Sequence, residues 1–243
     1  MKRFIFLILI LLVFLSFSCN GRDSDKNQIS SENNSLEKIY VRNGRLLYGA
    51  KKSHKPISSI SQLLSLYTEE ERAAIIEFSL AGQTFNDIDS LDMLPNLEKL
   101  NLVGNNFTSM RGIEKAPKLK RLNLSGNPIR KIEFLHKLPQ LEQLTIAHSS
   151  LTKIEGVSGL QHLKVLDLSA NFITKIEGLE NLPALETLSL GGNEFKDYSG
   201  LLDIQRIDSI YITSNENVVD EAAIEVFKEW NKRFPDCEIK WEK

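Results

Sequence analysis

The chain predicts an α/β solenoid: short strands in one parallel sheet along one face, a hairpin-and-helix cap before them and a helical cap after them. Three observations carry this reading. Apolar residues recur at a fixed interval of 22 in three columns: Ile75, Leu97, Leu119, Leu141, Leu163, Leu185 and Ile207; Phe78, Leu100, Leu122, Leu144, Leu166, Leu188 and Ile210; and Leu80, Leu102, Leu124, Ile146, Leu168, Leu190 and Ile212. Three residues past the last column stands a polar one: Gln83, Asn105, Asn127, Ser149, Asn171, Asn193 and Asn215. Beyond Asn215 the interval fails, and Val219, Ala223, Val226, Phe227, Trp230 and Phe234 recur with helical spacing instead.

Each element follows from its chemistry. The paired aliphatics, one residue apart, place two side chains on the same side of a short strand. An Asn amide satisfies backbone groups where the chain turns away, and the Ser149 hydroxyl at that place offers fewer bonds. Later columns close the core, running from Ile88 to Tyr198 and from Leu91 to Leu201. A 22-residue unit cannot bury its apolar face alone, so residues 75–217 are read as seven units that stack, with atypical ends over the open core. The last cap is residues 218–243. The first is residues 38–74, where "KIYV" and "RLLY" flank Asn43-Gly44 as a hairpin, "ISSISQLLSLY" reads as helix, and Thr68 with Glu71 opens another helix as a capping box.

The pattern LxxLxLxxN is similar to that of the leucine-rich repeat family over Ile75 to Asn215. Its unit ending IxxIxxLxxLPx resembles the subclass found in a nuclear regulatory subunit of protein phosphatase 1 and in the bacterial internalins. The resemblance implies a horseshoe with its strands on the concave face. It also implies work done by binding, although one scaffold serves many partners.

The first residues read as an export signal. In "MKRFIFLILILLVFLSFSC", Lys2 and Arg3 precede an unbroken apolar run from Phe4 to Leu15. Those 12 residues fall short of the roughly 18–20 that a spanning helix needs. Cys19 at the end of such a signal resembles a bacterial lipoprotein, with Ser16 where that family has an aliphatic residue and Leu15 one place early. The resemblance implies cleavage after residues 1–18, acylation (palmitate among the chains) of Cys19 as the lipid-attachment site, and anchorage in a bacterial cell envelope, at the outer-membrane surface or the periplasmic face. An ordinary signal peptide with an incidental cysteine is the alternative. Residues 19–37 are polar, with Ile29 and Leu36 as isolated aliphatics, and read as a flexible tether.

Several chemistries find no support. Formal net charge is -2, and removing Lys2 and Arg3 with the signal leaves 28 basic against 32 acidic residues, so no nucleic-acid partner is expected. His54, His136, His148 and His162 show no metal-ligand spacing, and neither a phosphate-binding loop nor a GxSxG elbow occurs. Cys237, beside Ile239 and Trp241, reads as a small packed hydrophobe. No catalytic residue, metal or cofactor is assigned. The KIE triplets at Lys131–Glu133, Lys153–Glu155 and Lys175–Glu177 stack compensating charges and read as a solvated outer face.

What differs between copies then carries function. The variable strand positions point outward over a face about 30 Å long, from strands about 4.8 Å apart. Among them Arg121, Asn123, Gln143, Thr145, His148 and Asp167 form the most varied polar patch, and Tyr211 adds an aromatic of the kind interfaces favour. The expected function is that of an exported, lipid-anchored protein that binds another protein, with a surface adhesin or host-interaction role on the internalin resemblance. A periplasmic envelope scaffold is the alternative. An enzyme with an unrecognised site is a third reading, for which the sequence offers no constellation.

Overall fold

The computed structural model describes residues 40–42, 45–47, 59–213 and 221–240, all within one compact unit, Ser35–Lys243. The export signal, Cys19, the tether, the Asn43-Gly44 turn, Asn215 and Val219 lie outside the described residues.

Among the described residues, ten strands form one sheet in chain order. The repeats supply β3 (Glu77–Ser79), β4 (Lys99–Asn101), β5 (Arg121–Asn123), β6 (Gln143–Thr145), β7 (Val165–Asp167), β8 (Thr187–Ser189) and β9 (Ser209–Tyr211). All pair in parallel with residues 22 apart opposite each other, such as Leu100 with Leu122 and Leu122 with Leu144. The constant interval thus becomes constant register. In each strand the central residue is buried and its two neighbours face outward.

Behind the sheet the aliphatic columns are buried almost completely, and two more join them: Phe85, Phe107, Ile129, Leu151, Ile173 and Phe195, and Leu94, Ala116, Leu138, Leu160, Leu182 and Ile204. Each large side chain so buried contributes about 1.5–3 kcal/mol. On the far side the return path includes short 3-10 turns, Leu91–Met93, Ile113–Lys115, Leu135–Lys137 and Ser199–Asp203.

The Asn column clamps one unit to the next. Asn127 Nδ2 donates to Leu124 O in its own unit (2.8 Å) and to Leu102 O in the preceding one (2.9 Å), while its Oδ1 accepts from the backbone N–H of Phe107 (3.1 Å). Asn171 repeats the arrangement on Leu168 O, Ile146 O and the Leu151 N–H. The side chain therefore secures stacking as well as the turn. Gln83, first in the column, is only half-buried and donates to Ala81 O (3.3 Å).

At the first end, β1 (Tyr40–Arg42) and β2 (Arg45–Leu47) form the expected antiparallel hairpin, and β2 pairs onward with β3, so the hairpin lengthens the sheet. Helices α1 (Ile60–Leu64) and α2 (Glu69–Ala73) follow. The capping box is present: Glu71 N–H donates to Thr68 Oγ1 (3.2 Å) and Thr68 N–H to Glu71 Oε2 (2.8 Å). Arg72 Nη1 donates to Tyr67 O (2.5 Å), tying the helix to the preceding turn.

At the other end α3 (Glu221–Arg233) turns Ala223, Phe227 and Trp230 into the core, and Phe227 packs on Tyr198 with ring centroids 5.5 Å apart. The helix stops at Arg233, so Phe234 lies beyond it, yet still packs on Trp230 at 4.7 Å. One element differs from the purely helical cap expected: β10 (Glu238–Lys240) pairs in parallel with β9. Ile212 N–H donates to Lys240 O (2.9 Å), so an otherwise open sheet edge is covered. Apolar alternation at Cys237 and Ile239 is too brief to mark a strand by itself.

Candidate functional site

Registration sets out the open face of the sheet in rows. Arg121, Gln143 and Val165 stand side by side across β5, β6 and β7, and Asn123, Thr145 and Asp167 form the row two residues on. Leu122, Leu144 and Leu166 between the rows are buried and hold both from behind. Arg121 is the exposed member; the others are half-buried.

Hydrogen bonding divides this patch by duty. Asn123 Oδ1 accepts from the Ser125 N–H (3.0 Å), and Asp167 Oδ1 accepts from the Ser169 N–H (3.0 Å) and hydroxyl (2.6 Å). Both side chains thus brace the turn that leaves their strand, as Asn101 does with the Val103 N–H (3.2 Å). Arg121, Gln143 and Thr145 make no side-chain hydrogen bond among the described residues.

The other two expected residues lie apart. His148, exposed, sits on the rim at φ +50°, in the column where Gly82, Gly104, Gly126 and Gly192 take the same left-handed conformation. Its N–H donates to Ser169 O (3.0 Å), so its place is dictated first by the turn. Tyr211 lies on β9, two strands beyond β7, with Lys240 Nζ of β10 5.2 Å from its ring centre.

Beside the patch runs a charged column that the LxxLxLxxN motif does not mark: Glu98, Lys120, Glu142, Lys164, Glu186 and Asp208. Lys120 Nζ lies 2.9 Å from Glu98 Oε1, and Lys164 Nζ lies 4.0 Å from Glu142 Oε2. The same 22-residue interval marks this column, one place before the variable row. Pairs this exposed add little stability, but they give the edge of the patch alternating charge. Phe172, 52% exposed on the rim after Asn171, was likewise unmarked by the motif.

The KIE residues flank buried Ile132, Ile154 and Ile176 and are all exposed, as a solvated outer face requires. Cys237 is partly buried, and burial pushes its thiol pKa up, against a smaller opposing effect of the Trp230 indole. A raised pKa disfavours the reactive thiolate. Among the described residues no group of three or more His, Cys, Asp or Glu side chains is placed to hold a metal, and no helix is long and apolar enough to cross a membrane.

Comparison with known proteins bears on the fold. Residues 95–151 and 139–195 match the family described as "Leucine rich repeat". An internalin C2 of Listeria monocytogenes superposes with a TM-score of 0.60 at 23% identity, over 73% of this chain and 77% of that one. An internalin (inlF) of the same organism superposes at 0.52 with 22% identity, over 73% of this chain and 58% of that one, so the present chain spans little more than half its length. No curated protein matches the sequence. The fold is a leucine-rich repeat solenoid.

Proposed function

We propose that this chain is an exported, lipid-anchored protein of a bacterial cell envelope that binds another protein through its open sheet face over β5–β7. The supporting observation is the division of labour between residues. Repeated positions are buried or clamp the stack, whereas Arg121, Gln143 and Thr145 lie together with no internal duty. A polar face of this kind, edged by alternating charge, suits a folded protein surface rather than a small ligand, which needs a concave apolar pocket. The export signal and Cys19 support the anchor, and the internalin-like fold supports a surface-exposed, host-facing role.

Two measurements test this reading. Cys19→Ser is expected to abolish incorporation of a palmitate analogue and release the protein from the membrane fraction; labelling that persists contradicts the anchor. Protease added to intact cells is expected to digest the protein, and protection contradicts the surface role in favour of a periplasmic scaffold. For the binding face, Arg121→Ala with Gln143→Ala is expected to weaken partner binding while changing stability by less than about 0.5 kcal/mol, since neither side chain supports the fold. Asp167→Ala is a poorer probe, because it also removes two hydrogen bonds within the turn.

A further inference from the structure

Numbering the units by their strands from β3, the joint between the third (β5) and fourth (β6) differs from the joints on either side. Across the second-to-third joint Asn127 reaches Leu102 O and holds the Phe107 N–H; across the fourth-to-fifth, Asn171 reaches Ile146 O (2.7 Å) and holds the Leu151 N–H (3.0 Å). At the joint between them Ser149 occupies the Asn place, and its hydroxyl donates only to Ala147 O (3.3 Å) within its own unit. Leu124 O therefore receives no bond from the fourth unit's turn residue, and the Ile129 N–H folds back on Asn127 O (2.8 Å) instead of crossing.

Two independent observations fall at the same place. Lys120 pairs backward with Glu98, and Glu142 pairs forward with Lys164, so among the described residues no lysine–carboxylate pair crosses this joint. His148, in the fourth unit's turn, takes φ +50° where Gly82, Gly104, Gly126 and Gly192 stand in other units, a conformation that strains an L side chain. The joint is nevertheless intact, because Leu124 N–H donates to Thr145 O, Gly126 N–H to Ala147 O and Ser150 N–H to Ile129 O, each at 2.9 Å, and Ala147 N–H donates to Ser125 Oγ (3.1 Å), one side-chain bond in place of the two that an Asn supplies at the neighbouring joints.

In a stack whose stability is a sum of units and neighbour interfaces, the weakest interface determines where it yields. We propose that the joint between β5 and β6 is a built-in hinge, the place where this solenoid opens and bends first. It lies between Arg121 and Gln143, so bending there changes the spacing of the open face whatever that face binds.

Hydrogen exchange read by mass spectrometry on the full chain tests this. The Ile129 amide is expected to exchange at least about tenfold faster than its counterparts Phe107 and Leu151. Ser149→Asn is expected to bring Ile129 down to their rate. Asn171→Ser is expected to raise the Leu151 rate by a similar factor, recreating the weak joint one unit on. Equal protection of the three amides overturns the proposal, as does an Ile129 rate that Ser149→Asn leaves unchanged.

Discussion

Gly156→Ala is expected to destabilise the protein by about 3 kcal/mol or more, lowering the melting temperature by about 6 °C or more. Two effects combine at this residue. Its backbone takes φ +77°, which disfavours any L side chain, and a Cβ there would stand 2.2 Å from Ile132 O in the preceding unit. The carbonyl belongs to the backbone and cannot swing aside, so the units must separate locally. Gly159→Ala is the comparison that isolates the stacking contribution. That residue is also left-handed, at φ +86°, but a Cβ would meet nothing within 4 Å, so only the conformational cost of about 1–2 kcal/mol applies. Thermal melts of the two variants side by side check the difference.

Asn127→Ala comes next, at about 2–5 kcal/mol, because it strands more than one buried group at about 1–3 kcal/mol each. The Phe107 N–H loses its acceptor, and Leu124 O loses the donor 2.8 Å away. Leu124 O has no second partner, since Ser149 offers none, whereas Leu102 O keeps its bond from Asn105 (2.9 Å). Asn105→Ala should cost less than Asn127→Ala, because Leu102 O keeps its bond from Asn127 (2.9 Å) and Asn105 Oδ1 holds no amide, which leaves Leu80 O as the one group stranded. Chemical denaturation of the two variants measures the order.

The sequence made the stack legible because its period is an integer number of residues: one interval of 22 fixes which residues are buried, which are opposite each other and which face out. What it left unread depends on contacts between units. An Asn column announces turns, but not that Asn127 reaches a carbonyl 25 residues back and an amide 20 residues back. Glycine spacing likewise does not say that Gly156 lies against a neighbouring carbonyl.

At the candidate site, outward-facing variability picks out Asn123 and Asp167 together with Arg121, Gln143 and Thr145. A side chain can face outward and still serve its own backbone. The Asn-x-Ser and Asp-x-Ser spacing at 123–125 and 167–169 carried that signal, since a short acceptor side chain reaches the N–H two residues on. His148 and Tyr211 were placed by column alone, which reports neither the left-handed turn at His148 nor the strand β10 that brings Lys240 to Tyr211.

The central claim is that the open face over β5–β7 meets a protein partner. Photo-crosslinking in intact cells tests it most directly, with a benzophenone amino acid placed in turn at Gln143, Thr145 and Val165 on that face and at Lys153 and Glu177 on the outer one. The account predicts one adduct of a single size from the open-face positions, reduced by Arg121→Ala, and none from the outer pair. Adducts from Lys153 or Glu177 alone would contradict it.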